Sequence, residues 1–304
     1  METTAKTANN PDIANAFRFL VLFVLGVILG ANFYLLGTPA KEVRAVTPLT
    51  ANPFDTTAIR ARGAVVYDIS RNETIYRHNA DTVLPLASLT KVMTAIVAGR
   101  LNNPADSVTI SAQAIAREGN QGLFAGEVWR PDMLSWFTLI SSSNDGAYAL
   151  GEHTGREEFI QQMNEMSTQL DLHNTYFFNE TGLDVSVETS GGYSTAEEFA
   201  KLFAYGIKMY PGIFAPTRHS SLQVASLSGA MHRAKNTNED IKSTLGIIAS
   251  KTGYTKIAGG NLAVIFDVGL NRPMVAVVLG SSAEERFSDI EALINASIAY
   301  ATGQ

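Results

Sequence analysis

The sequence contains no cysteine, which excludes disulfides and thiolate metal sites. A chain without cysteine also suits an exported protein that makes no use of disulfides. Charge is sparse: 17% of the 304 residues are Asp, Glu, Lys or Arg, and the net charge is −6. No cluster of Lys and Arg stands out against that acidic balance, so a nucleic-acid surface, which needs clustered cations for phosphate, is excluded. The five histidines (His78, His153, His173, His219 and His232) are scattered and lack H-E-x-x-H spacing, so they read as satisfied surface or core side chains and no metal site is expected. Apolar residues, at 46%, are plentiful. They suffice for one large domain or two ordinary ones and argue against disorder. There is no internal repeat.

One long apolar run lies near the start, from Phe17 to Gly37. Between Phe19 and Leu36 there is no charge, and Asn32 is the only strongly polar side chain. As a helix rising ~1.5 Å per residue, such a run reaches across the ~30 Å hydrocarbon core of a bilayer. Residues 17–37 are therefore expected to cross a membrane once, with residues 1–16 as a cytoplasmic tail. The run exceeds the ~7–15 residue apolar core of a cleaved signal, and Thr38-Pro39-Ala40 is a poor cleavage site, so a retained anchor is expected. The flanking charges, Lys6 and Arg18 against Lys41 and Arg44, set no orientation. Residues 38–57, rich in Thr, Ala and Pro and without periodicity, read as a linker. The folded domain is expected over 58–304.

That domain opens with a β-rich run, Gly63 to Asp68, turns at Ser70-Arg71-Asn72 and continues as Thr74 to Arg77, a hairpin. From Pro85 to about Tyr210 the pattern is mainly helical. After Ile247 strands return, Asn261 to Val268 and Met274 to Leu279, with Asn271-Arg272-Pro273 at the turn. Ala283 to Tyr300 has apolar residues at Ile290, Leu293, Ile294 and Ile298, a helix with one buried face. Strands at both ends and helices between imply an α/β domain: an antiparallel sheet built from both ends, flanked by helices, with a mainly helical region inserted.

Three short motifs carry the chemistry. Ser88-Leu89-Thr90-Lys91 opens a helix whose Leu89, Val92, Met93, Ile96 and Val97 form a buried face, with Pro85 just upstream suiting a helix start. Ser88 and Lys91, three apart, project from the same side of the first turn. A lysine buried beside a hydroxyl, with a second cation near, loses its proton more readily and can take that of the serine. Lys251-Thr252-Gly253 sits on an expected strand; its lysine and hydroxyl beside a glycine make an anion-receiving edge, and Lys251 is a candidate for that second cation. Ser142-Ser143-Asn144 offers a hydroxyl for proton relay and an amide for a peptide. Ser70-Arg71-Asn72 fits the same pattern, but it lies in a turn ahead of the Ser88 helix, so order and context select Ser142.

The order S-x-x-K, S-x-N, K-T-G is far more specific than any one of its parts. From about Ala58 to Tyr300 the sequence resembles the low-molecular-weight penicillin-binding proteins of the D-alanyl-D-alanine carboxypeptidase family. The resemblance rests on Ala87 to Thr94, Ser142 to Asp145 and Lys251 to Thr255, with further family-like blocks at Asn179 to Asp184 and Tyr193 to Ala196. It implies a β-lactamase/transpeptidase-like fold and a serine peptidase acting on peptidoglycan stem peptides. By that resemblance Ser88 is the nucleophile, Lys91 its general base and Ser142 the proton relay. The oxyanion would sit between the N–H groups of Ser88 and Tyr254, the residue after Gly253. Lys251 and Thr252 would hold the terminal carboxylate and Asn144 the peptide. β-Lactams would acylate the same serine, no cofactor is needed, and the catalytic domain would face the extracytoplasmic side. The family's common C-terminal β-domain and amphipathic anchor have no counterpart before Gln304, so the N-terminal helix is expected to replace the anchor. Ser143 and Gly146 are not the commonest neighbours of the S-x-N motif in that family, which bears on substrate detail more than on chemistry.

Within the same family, D,D-endopeptidase action on cross-links is the alternative. A class A-like β-lactamase needs a glutamate-activated water, usually from an E-x-x-L-N loop; here Glu180-Thr181-Gly182-Leu183-Asp184 carries Asp where Asn belongs. A non-catalytic cell-wall binding module would be expected to have lost one of the motif side chains, and none is lost.

Overall fold

A computed structural model describes residues 11–36, 52–103, 105–119, 121–242, 246–269 and 271–303. The chain divides into two units, Met1–Leu49 and Thr50–Gln304. In the first, helix α1 occupies Pro11–Leu36. Its described side chains, Asp12 and those from Asn15 to Ala31, are all exposed, with Phe19 at 76% and Phe23 at 71%. Among the described residues no helix is long and apolar enough to cross a membrane; the side chains of 32–36, part of the expected span 17–37, lie outside the described residues. The expected tail up to residue 10 and linker residues 38–51 lie outside the described residues, as does Gly37.

The second unit begins its sheet with β1 (Gly63–Asp68) and β2 (Glu73–His78). Asn72, at φ +54°, makes the turn that Ser70-Arg71-Asn72 was expected to form. A helical region follows: α2 (Lys91–Leu101), α3 (Pro131–Ser141), α4 (Asn144–His153), α5 (Arg156–Gln169) and α6 (Ala196–Met209). A separate hairpin, β3 (Ser221–Ala225) with β4 (Met231–Lys235), comes next. The chain then returns through β5 (Ile247–Thr255), β6 (Gly259–Asp267) and β7 (Pro273–Ser281) and closes with α7 (Glu285–Thr302). The strand order is β5-β6-β7-β1-β2, antiparallel throughout, with Val65 opposite Val277 and Val264 opposite Ala276. Both ends of the domain thus build one sheet, as the sequence pattern implies.

Strand periodicity divides the core in two. Val65, Tyr67, Ile265, Val275 and Val277 face the helical region, whereas Ala64, Val66, Phe266, Ala276 and Val278 pack on Ile290, Leu293 and Ile294 of α7. Alternate side chains point to opposite faces, and because both faces are covered, β1 is buried at every position and reads as an unbroken apolar run.

Four expectations need correction. Pro85 does not start a helix: it lies in the short strand Leu84–Pro85, paired with Tyr193 and Ser194, and the chain enters α2 through a 3-10 turn, Ala87–Thr90. Helix α2 has no solvent face along its first two turns, Lys91 to Ala98 being buried all round by α3, α4, α5 and α6. On α7, Ile298 is 39% exposed, and Ala296 and Ser297 are the buried residues instead. The β3–β4 hairpin was not anticipated, because only His232 and Ala234 of β4 alternate inward and both are weakly apolar.

Candidate active site

The turn Ala87–Thr90 is held in a conformation that side chains rarely adopt. Ala87 has φ +50°, a strained value for a residue with a Cβ. Three elements hold it there. Asn261 of β6, fully buried, donates through Nδ2 to the carbonyls of Pro85 and Leu86 at 2.9 and 3.0 Å and accepts from Gly280 N–H at 2.8 Å. Gly253 of β5 lies so close that a Cβ there would sit 2.8 Å from Leu86 O. Gly182, at φ +77°, rests against Ala87, whose carbonyl oxygen an added Cβ would strike. Within the run Leu84 to Thr90, Ser88 alone is partly exposed.

One turn on, Lys91 Nζ lies 2.9 Å from Ser88 Oγ, 2.6 Å from Asn144 Oδ1 and 2.6 Å from the Thr181 carbonyl. The amide oxygen and the carbonyl can only accept, so they take two N–H bonds of Lys91. A neutral amine then has its lone pair left for the hydroxyl hydrogen of Ser88. Burial pushes Lys91 down to about 7, against the upward pull of the Glu180 and Asp145 carboxylates, so this neutral form is accessible near neutral pH. Burial is the largest influence on Lys91, and the neighbouring cation that the sequence suggested, Lys251, is coupled to it. The coupling appears on Lys251 itself, which burial, then Lys91, then Arg286 push well below the ordinary lysine range.

The S-x-N motif falls at a helix break. Ser142, at φ +60°, ends α3, and Asn144 opens α4. The left-handed step places Ser142 Oγ 2.9 Å from Lys251 Nζ, which also donates to Thr252 O at 2.8 Å. Ser143 caps α4 by accepting from Gly146 N–H at 2.8 Å and also bonds Asp145. Gly146 is required because α3 and α4 approach closely: a Cβ there would strike Thr138 Oγ1. Asn144 differs from its expected role. Its Oδ1 accepts from Lys91 and its Nδ2 donates to Glu118 O at 2.7 Å, so its amide is engaged inside the protein, where it holds the lysine.

Lys251, Thr252, Gly253 and Tyr254 lie on β5, the edge strand of the sheet. One side of its backbone is therefore unpaired within the sheet, the arrangement an extended peptide can join. Tyr254 is 55% exposed at the rim. Two residues not foreseen in the sequence stand beside this strand. Thr237 Oγ1 is 2.5 Å from Thr252 Oγ1, and Arg286 Nη1 donates to Gly253 O at 2.9 Å while its buried Nε has no partner. Neither has a local sequence signal; each is an isolated polar residue brought in by the fold.

The Asn179 to Asp184 block is a clamp. Glu180 is fully buried and paired at 3.2 Å through both oxygens with Arg156, while its carbonyl accepts from Thr94 at 2.6 Å. Asp184 accepts from Thr255 at 3.0 Å. A carboxylate so committed is not placed to activate a water. Among the described residues no group of His, Cys, Asp or Glu could hold a metal ion. His232, the buried histidine, is satisfied by Glu127 at 2.9 Å. A recess of about 190 Å³ beside Gly99, Pro131 and Ile213 shares no residue with this cluster.

Comparison with known proteins gives a consistent picture. Residues 49–283 match the family described as D-alanyl-D-alanine carboxypeptidase. The chain is 30% identical over 270 residues to a D-alanyl-D-alanine endopeptidase of Escherichia coli, covering 85% of this chain and 81% of that one. It is 30% identical over 286 residues to the carboxypeptidase DacC of the same organism, covering 88% of this chain and 67% of that one. Among solved structures, the Streptomyces K15 DD-transpeptidase superposes with a TM-score of 0.72 at 25% identity, over 80% of this chain and 98% of that one. Penicillin-binding protein D2 of Listeria monocytogenes in its ampicillin-bound form does so with a TM-score of 0.66 at 27% identity, over 78% and 97%.

Proposed function

The chain belongs to the D-alanyl-D-alanine carboxypeptidase family, and from that premise we propose that it cleaves the D-alanyl-D-alanine ends of peptidoglycan peptides through an acyl-enzyme on Ser88. The observation that carries the assignment is Lys91, buried, 2.9 Å from Ser88 Oγ and bonded on its other sides to two groups that only accept. Neutral Lys91 takes the hydroxyl proton as Ser88 attacks the scissile carbonyl. The oxyanion is received by the N–H groups of Ser88 and Tyr254. Ser142, held by Lys251, passes a proton to the departing amine. Lys251, Thr252 and Arg286 form the donor-rich end, with the Arg286 guanidinium as its cation, that receives the terminal carboxylate, and Asn144 positions Lys91 while lining the acyl side. Water then releases the acyl-enzyme.

A β-lactam presents the same carbonyl and carboxylate and acylates the same serine. Its acyl-enzyme is long-lived here, because Glu180 is locked to Arg156 and supplies no deacylating water; this sets the chain apart from a class A-like β-lactamase. All six motif side chains (Ser88, Lys91, Ser142, Asn144, Lys251 and Thr252) are present and bonded, which disfavours a binding module without turnover. The test is incubation of the chain from Ala51 onward with a fluorescent penicillin, alongside Ser88→Ala, and assay of D-alanine release from a pentapeptide. Labelling stable over hours, together with D-alanine release, both requiring Ser88, is the expected result. Rapid release of label would favour a β-lactamase, and no labelling a binding module.

The uncharged run Phe19 to Leu36, part of it the exposed apolar face of α1, supports a second element of the proposal. It tethers the peptidase to a membrane, on the extracytoplasmic side where peptidoglycan lies. The full chain is then expected in the membrane fraction and the chain from Ala51 onward in the soluble fraction; equal partitioning would refute the tether.

A further inference from the structure

On either side of Thr237 in the chain lie residues of a polar groove that shares no residue with the catalytic cluster. Thr237, in hydrogen-bond contact with Thr252, follows β4. The residues on either side of it, Asn236 and Asn238, together with Ser221, Arg233, Lys235 and Glu239, line a cavity of about 680 Å³. That volume falls within the ~300–1,000 Å³ of sites for drug-sized ligands and is far more than a single alanine fills.

Its lining carries two cations, Arg233 and Lys235, and one carboxylate, Glu239. Along β4, Arg233 and Lys235 alternate with buried His232 and Ala234, so both point to the outer face. Their cross-strand neighbours, Gln223 and Ser221, are neutral, and Arg233 Nη2 reaches Ser221 Oγ only at 3.4 Å. Among the described residues no carboxylate pairs with either cation. In a chain of net charge −6, two cations against the single carboxylate of Glu239 leave the lining net positive, a local field that draws anions. Asn238, 3% exposed, lines the same cavity with its Oδ1 unpartnered, a buried acceptor that lacks an N–H donor.

The groove's position fixes which part of a substrate meets it. On the reading above, Lys251, Thr252 and Arg286 hold the carboxylate of the departing residue, so a groove joined to Thr252 through Thr237 lies on the leaving side. A departing free D-alanine ends before it. Only a leaving residue that carries its carboxylate and continues through a side chain into a second peptide extends further.

We propose that the groove lined by Arg233, Lys235 and Asn238 is an anion-binding subsite for the leaving-side peptide of a cross-linked substrate, whose free carboxylates meet the two cations and whose amide N–H meets Asn238 Oδ1. The proposal rests on the serine peptidase reading and adds to it the residues that discriminate cross-linked from free peptides.

The test compares kcat/KM of the full chain on a purified cross-linked peptide dimer and on the matching uncross-linked pentapeptide. In Arg233→Glu/Lys235→Glu the dimer-to-monomer ratio is expected to fall at least tenfold, equivalent to about 1.4 kcal/mol. Arg233→Gln/Lys235→Gln is expected to lower it at least threefold and guards against misfolding of the reversed pair. The unmodified chain gives a readout independent of any variant: dimer cleavage weakens more than monomer cleavage as salt rises from about 50 to about 500 mM. An unmoved ratio in folded variants, an equal salt response for both substrates, or failure of the unmodified chain to cleave the dimer overturns the subsite. Loss of Ser88-dependent penicillin labelling would instead overturn the underlying reading, so the two failures are distinct.

Discussion

The most demanding consequence of the site concerns the charge on Lys91. Burial brings this lysine to about 7 from the ordinary 10.5, and only its neutral form can accept the Ser88 proton. At pH 5 about one molecule in a hundred has neutral Lys91, and at pH 8 about nine in ten. The second-order rate of acylation by a fluorescent penicillin, followed by stopped flow from pH 5 to 9, is therefore expected to climb about tenfold per pH unit below 7 and to flatten above 8. Glu180 pulls Lys91 upward, so Glu180→Gln moves the midpoint to lower pH. Lys91→Arg abolishes acylation, because a guanidinium does not release its proton in proteins. The same titration acts on stability. Folded Lys91 binds fewer protons than an unfolded lysine between about 7 and 10.5. Its contribution to stability thus rises with pH across that window, by on the order of 5 kcal/mol in total, and is flat below it. The urea midpoint of the wild type relative to Lys91→Met is expected to increase from pH 7 to pH 10. A pH-independent acylation rate, a midpoint near 10, or normal acylation in Lys91→Arg would refute the reasoning.

Other predictions test the supports of the site. Gly182→Ala places a Cβ against the Ala87 carbonyl at a φ of +77°; it is expected to destabilise by about 3 kcal/mol or more and to slow penicillin labelling, read by thermal unfolding and by gel fluorescence. Asn261→Ala strips two buried carbonyls and one N–H of their partners and is expected to cost about 3 kcal/mol, with loss of labelling in proportion to loss of the Ser88 turn. Glu180→Ala leaves half-buried Arg156 without its ion-pair partner, a loss of about 3 kcal/mol, measured by denaturant unfolding. In the isosteric Glu180→Gln the lifetime of the penicilloyl-enzyme is expected to stay as in the wild type; a marked lengthening would show that Glu180 activates the deacylating water after all.

The three motifs could be read from the linear chain because each is local. Ser88 and Lys91 share a turn, Ser142 and Asn144 flank a helix break, and Lys251 to Gly253 lie on one strand, so chemistry and spacing are visible together. The sheet built from both ends was legible for a similar reason, since covered strands such as β1 and β6 read as apolar runs whose positions at the two ends of the domain leave few pairings. Long-range relations were not legible. Thr237 and Arg286 reach the β5 edge from 15 residues before Thr252 and 33 after Gly253, and no local pattern announces such meetings. Asn144 reads from composition as a substrate amide, yet tertiary packing commits it to Lys91 and Glu118. The same holds for electrostatics. That Lys91 exists three residues after Ser88 is sequence; that it gives up its proton near 7 and not near 10.5 depends on α2 being enclosed on every side. Identity and spacing are properties of the chain alone, whereas desolvation is a property of everything packed around a group, and only the folded structure decides it.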